Sequence, residues 1–453
     1  MKEYDLDDVF TPASSASLTF IERESVNKQL LRSLKTKGKQ IVIYGHSGSG
    51  KTTILSNKLK SIYPKSITTS CESNMKMNDL ILDAFNQLDI FYKNSVESNE
   101  GGKNSANAGG SFLGLKLGLS GEISESQKEI EKRLLDVQLT PQTLAKYMGE
   151  SEHCWIIEDF HKIKISEKQF FAQIMKIFMD KANTFRKTKI IAIGAVNSAR
   201  EVVQYEPEMS ERISEIYVPL MSHKNLIGII EKGESLLNIE IESELKDKIV
   251  KYSHGLASIT HELCYLMCDN RGVEKTSKQS IKFTEKDLED AIEDYIQEKS
   301  DTFKFIYDTA TKTKTQRKYD TPKNILEAII NVKKDEVRVN EIAEEMKKKF
   351  IEYKPTNLKK YVDELTDSKR NEILRFNKDN NCYSFSSPFI KAYSNFVIHK
   401  QNGKHQDNGK NLIKELKLYI INTIDDNFIF NENDEIIDDD FIYKNIKITD
   451  SFE

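Results

Sequence analysis

Residues 41–53 read Ile-Val-Ile-Tyr-Gly-His-Ser-Gly-Ser-Gly-Lys-Thr-Thr, and few runs constrain a fold as tightly. Four β-prone residues, Ile41 to Tyr44, lead into Gly45-x-x-x-x-Gly50-Lys51-Thr52, and a helix-forming stretch follows from Ile54 to Lys60. Strand, glycine loop and helix in that order are the plan of a phosphate-binding loop. Glycines at 45, 48 and 50 permit a tight turn whose backbone N–H groups face inward, and the start of the next helix adds its own unpaired N–H groups and positive dipole end. The spacing predicts that Gly45, His46, Ser47, Gly48, Ser49, Gly50, Lys51, Thr52 and Thr53 cradle a nucleoside triphosphate. Lys51 is expected on the β- and γ-phosphates and the Thr52 hydroxyl on Mg²⁺. The competing reading is an ordinary Gly/Ser turn; the apolar strand directly before the loop argues against it.

The chain has 453 residues, enough for two or three domains at roughly 150 residues each. Charged residues make up 30% and the net charge is −4, which suits a soluble globular protein and excludes a generally basic nucleic-acid coat. No apolar run approaches the roughly 20 residues needed to span a bilayer, and Met1 to Asp8 holds no apolar signal core. The five cysteines, Cys71, Cys154, Cys264, Cys268 and Cys382, are scattered and odd in number. A cytoplasmic location follows as the expectation. Cys264 and Cys268 stand one turn apart beside His261, but no second ligand pair has zinc spacing, so an apolar helix face is expected there.

Strand and helix signals alternate as far as about Leu220. A helix near 26–35 precedes the loop; a strand is expected at 66–71 and a helix at 77–88. Thr140-Pro141 reads as a helix start, and Ser166-x-x-Gln169 as a capping box for a helix to about Lys181. Apolar strands at 154–157 and 189–193 complete the pattern of a parallel, doubly wound sheet. Residues 93–127 interrupt it. Seven of the chain's 19 glycines fall between Gly101 and Gly121, and Leu113, Leu115, Leu117 and Leu119 alternate with Gly114, Lys116, Gly118 and Ser120. That period predicts a strand in an inserted hairpin, packed on its own domain or offered to a partner.

Hydrolysis needs carboxylates near the phosphates. Glu158-Asp159 ends the apolar strand Trp155-Ile-Ile, where ligand-facing side chains sit in a parallel sheet. One acid is expected on Mg²⁺ and the other on the attacking water. Asn197, ending the next strand, is expected as a γ-phosphate sensor, with a turn asparagine as its alternative. Arg212, in Met209-Ser-Glu-Arg-Ile, is expected on a short helix, either as a finger toward a neighbouring subunit or as a plain surface arginine.

Taken in order, Phe20-Ile-Glu-Arg-Glu, the Gly45 loop, Glu158-Asp159, Asn197 and the Arg212 segment resemble the AAA+/STAND ATPase superfamily, in a bacterial branch near origin-recognition initiators. The resemblance implies ATP and Mg²⁺ as cofactors, an ATPase core over 1–221, a helical lid over 222–305 and a winged-helix domain over 306–397. A linker, helix and acidic tail occupy 398–453. His254-Gly255-Leu256-Ala257 resembles the Gly-Leu-Pro motif of STAND switches, with Ala257 where the proline belongs. Initiators carry a lid arginine that reaches the γ-phosphate; Ser258-Ile259 stands there instead. This departure, and Glu158 in the place usual for Asp, favour a slow nucleotide switch over fast hydrolysis. The resemblance implies assembly with further copies or with an effector partner, and a place in antiphage defence.

Beyond Leu220 the chain reads as almost all helix. A long helix begins at Thr284. After it, three helices, the last near 356–366, and strands near 373–376 and 383–385 give the order of a winged helix. Lys354, Lys359, Lys360 and Arg375 are then expected to be available to phosphates of duplex DNA. Asp363 and Glu364 share the third helix and no dense basic stripe appears, so an internal docking use is the alternative. An origin-recognition-like or transposition-helper ATPase on duplex DNA is the second functional reading, and a scaffold with almost no turnover the third.

Overall fold

The structure, a computed structural model, describes residues 2–92 except 73 and 89, 115–117, 139–194, 207–313, 318–401 except 378 and 379, and six residues of the segment 413–421. The chain forms two compact units. One comprises Val26–Ser47 and Ile54–Pro219; the other comprises Met1–Ser25, Gly48–Thr53 and Leu220–Glu453.

The first unit is built on a five-stranded sheet. Its strands are β1 (Gln40–Tyr44), β2 (Lys65–Ser70), β5 (His153–Glu158), β6 (Lys189–Gly194) and β7 (Ile213–Tyr217), in the order β2-β5-β6-β1-β7. Every pairing is parallel, with Val42 level with Ala192 and Ala192 level with Ile157. Strands buried on both faces read as continuous apolar runs, and β6 is buried along its whole length. This is the parallel, doubly wound sheet expected from the alternating pattern. Helices Met77–Gln87, Pro141–Glu150 and Ile165–Lys181 bury a core against it that includes Trp155, Phe171, Phe178 and Met148. The indole of Trp155 donates to Thr69 Oγ1 at 3.1 Å, and Thr69 donates to Asp83 at 2.7 Å, so the largest core side chain also has its polar atom satisfied.

Both rims of this sheet carry side-chain amides. On β2, the Gln87 amide accepts from Thr68 N at 3.1 Å and donates to Thr68 O at 2.8 Å. On β7, Gln29 donates to the Glu215 carbonyl at 2.9 Å. Beneath the sheet's N-terminal end the Lys189 ammonium is buried and donates to the carbonyls of Ser33, Thr36 and Lys39 at 2.8, 3.0 and 2.6 Å. It thereby closes the carbonyl end of helix Glu24–Lys35, and burial pushes its pKa down to about 8.

Thr140 caps its helix as expected, accepting from Thr143 N at 3.3 Å, with Pro141 at the first position. The expected Ser166 capping box is corrected. The helix starts at Ile165, with Lys164 before it and no side-chain cap. A 3-10 turn, Phe160–Lys162, buries Phe160 against Phe171 with ring centroids 4.6 Å apart, and this packing sets the entry of the chain. Glu167 in that first turn caps a different helix, accepting from Met77 N at 2.8 Å. The inserted hairpin is present as β3 (Ile90–Tyr92) paired antiparallel with β4 (Leu115–Leu117). The rest of the 93–127 insertion and its leucine stripe lie outside the described residues.

In the second unit, helices His223–Leu237, Ser243–Ser253 and Ala257–Asn270 follow the sheet domain. β8 (Ile239–Ile241) and β9 (Ile281–Phe283) pair parallel beside them. The N-terminal segment is laced onto these helices. Leu6 N donates to Glu274 O at 2.8 Å and Thr276 N to Tyr4 O at 2.9 Å. The Phe10 ring lies where a side chain on residue 233 would stand: a β-carbon on Gly233 would be 2.1 Å from it. Helix Glu285–Thr311 begins with a Thr284/Asp287 capping box and runs on into the next region. There, helices Pro322–Asn331, Val339–Lys349 and Leu358–Glu364 precede the antiparallel hairpin β10 (Leu374–Asn377) and β11 (Cys382–Phe385), and helix Pro388–Gln401 closes the region. An isolated bridge joins Val337 to Tyr383. The region thus runs helix, helix, helix, strand, strand, helix. Phe389 anchors it, its ring centroid 4.7 Å from that of Tyr295 on the long helix.

Candidate functional site

The phosphate loop follows β1 and turns into helix Lys51–Leu59. Its geometry explains its glycines. Gly48 and Gly50 have φ of 76° and 84°, the left-handed region that L side chains avoid. Space is short as well: a β-carbon on Gly48 would stand 3.1 Å from both Leu256 Cδ2 and Ser258 Oγ, and one on Gly50 would stand 3.2 Å from Arg23 Nη2.

Arg23 is the functional side chain that the sequence reading missed. It lies within the Phe20–Glu24 run, yet a single arginine between two glutamates reads as surface. In the fold it is 8% exposed, and Nη2 donates to the Ser49 carbonyl at 2.8 Å. Burial lowers its pKa to about 10. A guanidinium so placed fixes the carbonyl at the crown of the loop, which leaves the neighbouring N–H groups to face a ligand. The Ser49 hydroxyl is buried without a hydrogen-bond partner, and helix Ala257–Asn270, which starts beside Gly48, has no side-chain N-cap. An orphaned hydroxyl and a loop of left-handed glycines at a helix start are donors that suit an anion, so the residues fit the phosphates of a nucleotide. His46 is buried, Lys51 and Thr53 are partly exposed, and Thr52 is exposed.

On the sheet itself, β1 and β5 end on the same side, the carboxyl end, where parallel sheets bind ligands. Glu158 is the last residue of β5 and is half-buried. Asp159 follows with a left-handed φ of 56°, and the Lys162 ammonium reaches its carboxylate at 2.6 Å. Asp159 is thus held in a local ion pair one residue past the strand that Glu158 ends. Arg212 closes the 3-10 turn Pro207–Arg212 and pairs with Asp180 at 3.0 Å, partly exposed. Asn197 lies outside the described residues.

The basic residues of the hairpin region do not all reach solvent. Arg375, expected to be available to phosphates, is 6% exposed on β10. Alternation along the strand turns it inward, where local charge pattern gave no warning. Lys359 pairs with Asp363 at 2.8 Å, and Tyr383 donates to the same carboxylate.

No family model matches the chain, and no curated protein does. Solved structures similar to it include a Walker-type ATPase of Pyrococcus abyssi, at 13% identity and a TM-score of 0.49, covering 83% of this chain and 96% of that one. The ORC2 protein of Aeropyrum pernix is similar at 10% identity and a TM-score of 0.48, over 90% and 95% of the two chains. Cdc6p from Pyrobaculum aerophilum is similar at 12% identity and a TM-score of 0.41, over 87% and 98%. Among the described residues no helix is long and apolar enough to cross a membrane, and no group of three His, Cys, Asp or Glu side chains is gathered as a metal site.

Proposed function

We propose that this chain is an ATP-binding P-loop ATPase of the AAA+/STAND type, akin to origin-recognition ATPases, that works as a slow switch: its nucleotide state governs assembly with a partner, either further copies or an effector. The observation that supports this most is the crown of the loop. Gly48 packs against Leu256 and Ser258 at the start of helix Ala257–Asn270. That helix brings a hydroxyl and no guanidinium to the loop, which favours holding a nucleotide over turning it over rapidly. In this reading 222–305 is the lid, 306–397 a winged helix, and 398–453 a linker, helix and acidic tail.

Lys51 and the loop amides would hold the phosphates, and Thr52 with Glu158 or Asp159 would hold Mg²⁺. The ion neutralises phosphate charge when bound. Whichever of the two acids does not hold the ion would orient the attacking water. Asn197 as sensor and Arg212 as a finger to a neighbouring copy complete the proposal; the Asp180 pair at 3.0 Å would have to open first.

The duplex-DNA reading is weakened by the burial of Arg375 and the pairing of Lys359, which leave Lys354 and Lys360 of the four residues named for it. Within the switch class we assign a role in antiphage defence; a nuclease, protease or membrane effector encoded alongside supports it, and an integrase there speaks for transposition.

The decisive experiment compares Lys51→Ala and Glu158→Gln with the unaltered chain. Lys51→Ala should abolish binding of a fluorescent ATP analogue. Glu158→Gln should keep binding and lower turnover about 10²-fold or more. Turnover that survives Lys51→Ala overturns the assignment. Sedimentation with ATP, ADP and a non-hydrolysable analogue tests the switch; an unchanged size and unchanged partner in all three counts against it.

A further inference from the structure

The turn between helices Val339–Lys349 and Leu358–Glu364 carries an isoleucine, Ile351, that is 99% exposed. It is held there by its neighbours. Tyr353 N donates to the Phe350 carbonyl at 3.0 Å, and the Tyr353 hydroxyl donates to Asp320 at 2.5 Å. Tyr319 packs its ring against those of Phe350 and Tyr353, with centroids 5.1 and 6.1 Å away. An exposed apolar residue alone calls for no explanation; the charge around this one does. Six of the fourteen residues 347–360 are lysines and one is acidic. Lys349 and Lys359 have carboxylate partners, Glu327 at 2.7 Å and Asp363 at 2.8 Å, and Lys348 pairs with Glu345. Lys347, Lys354 and Lys360 are exposed and make no ion pair among the described residues. A fixed turn with an apolar tip in a net positive field suits a ligand that is acidic and apolar at once.

The same chain holds such a segment. Eight of the sixteen residues 425–440 are acidic and none is basic, and Phe428, Ile429, Phe430, Ile436 and Ile437 stand among them. This stretch lies outside the described residues. Its anchor is described: Leu416 is buried, and Lys417 pairs with Glu293 on the long helix at 2.9 Å. From Glu293 that helix runs about 27 Å to Thr311. Asp320, which holds Tyr353, is nine positions further, at most about 32 Å of chain. The twenty-three positions from Lys417 to Asp440 extend to about 75 Å, so the stretch reaches the turn. We propose that residues 425–440 dock on the turn of their own chain, with carboxylates on Lys347, Lys354 and Lys360 and an apolar side chain over Ile351. Being tethered, the stretch competes at an effective concentration on the order of millimolar. The turn is then open to another polyanion, nucleic acid included, only when that ligand displaces the stretch.

Two measurements on the full-length chain test this. First, a zero-length carbodiimide at low salt should join Lys347, Lys354 or Lys360 to an acid within 425–440, as read by peptide mass spectrometry. Raised salt should suppress the link. In an equal mixture of isotopically heavy and ordinary chains it should join residues of one chain. No such link, or links between chains alone, overturns the proposal. Second, the five natural cysteines are all buried, so Ile351→Cys gives one thiol that a reagent in solution can reach. Its reaction should quicken about tenfold when Asp438→Asn, Asp439→Asn and Asp440→Asn are made together; an unchanged rate overturns the proposal. So does a short DNA duplex that shields this thiol as well with the acidic stretch intact as with the three Asn changes, since nucleic acid would then be the occupant. Shielding by the duplex only after the Asn changes supports the stretch as the occupant. Neither measurement involves nucleotide, so no outcome touches the site at residues 45–53.

Discussion

Gly50 meets two constraints at once: a φ of 84° and Arg23 Nη2 at 3.2 Å from where its β-carbon would lie. Gly50→Ala should therefore cost about 1–2 kcal/mol of stability from the left-handed backbone, and nucleotide affinity should fall at least about tenfold as the crown shifts. Urea unfolding and analogue binding check the two separately; an alanine variant with full affinity would show that the loop tolerates another path. The glycine spacing was legible in the sequence because its cause is local: backbone angles depend on near neighbours. Arg23 was not legible, because its partner, the Ser49 carbonyl, is brought to it by tertiary folding across 26 positions. The same holds for Arg375. Its charge is visible in the sequence; its inward direction follows from the register of the hairpin, with Arg375 opposite Ser384. Glu158-Asp159 was readable as an acidic strand end, but the ion pair of Asp159 depends on the 3-10 turn that brings Lys162 round.

At the scale of elements, apolar period and caps located the sheet strands and most helices, and they failed where packing chose the boundary. Ser166 with Gln169 fits a capping box, yet the buried Phe160–Phe171 pair starts the helix at Ile165. A second element-scale effect has no sequence signature: the glutamine amides on the sheet rims. Gln87 makes two bonds with the Thr68 backbone and a third to Asp83 at 2.7 Å. Gln87→Ala should lower stability by about 1 kcal/mol and expose the β2 rim to pairing with other chains. Urea unfolding together with light scattering reads both effects; unchanged stability and no added scattering at raised concentration would mean that water replaces the amide at no loss.

For the molecule as a whole, acid sensitivity follows from a histidine buried in its neutral form. His261 is 3% exposed and accepts from Thr11 N at 3.1 Å through Nδ1, so protonating that nitrogen breaks the bond. Burial lowers its pKa to about 4. Below its unfolded value of about 6.5 the unfolded chain takes up the proton and the folded chain does not. Stability is thus full above pH 6.5 and is lost as pH falls toward 4, by about 3 kcal/mol for this group. His254, whose pKa is also lowered to about 4, adds to the loss. Urea unfolding at pH 7 and pH 4.5 should show a larger drop for the unaltered chain than for His261→Gln; equal drops would remove His261 as a cause. The sequence placed His261 on an apolar helix face, but the N-terminal segment that covers it could not be foreseen from spacing, since Phe10 and Thr11 lie 250 positions or so away.

The amides at Thr68 and Glu215 carry a consequence for how copies of this chain can meet. A sheet with occupied rims does not readily grow by ladder extension, a mode of joining that is hard to undo once formed. Joining is thereby steered to helices and loops, whose contacts form and release side chain by side chain. The assembly switch proposed above is better served by surfaces of that second kind.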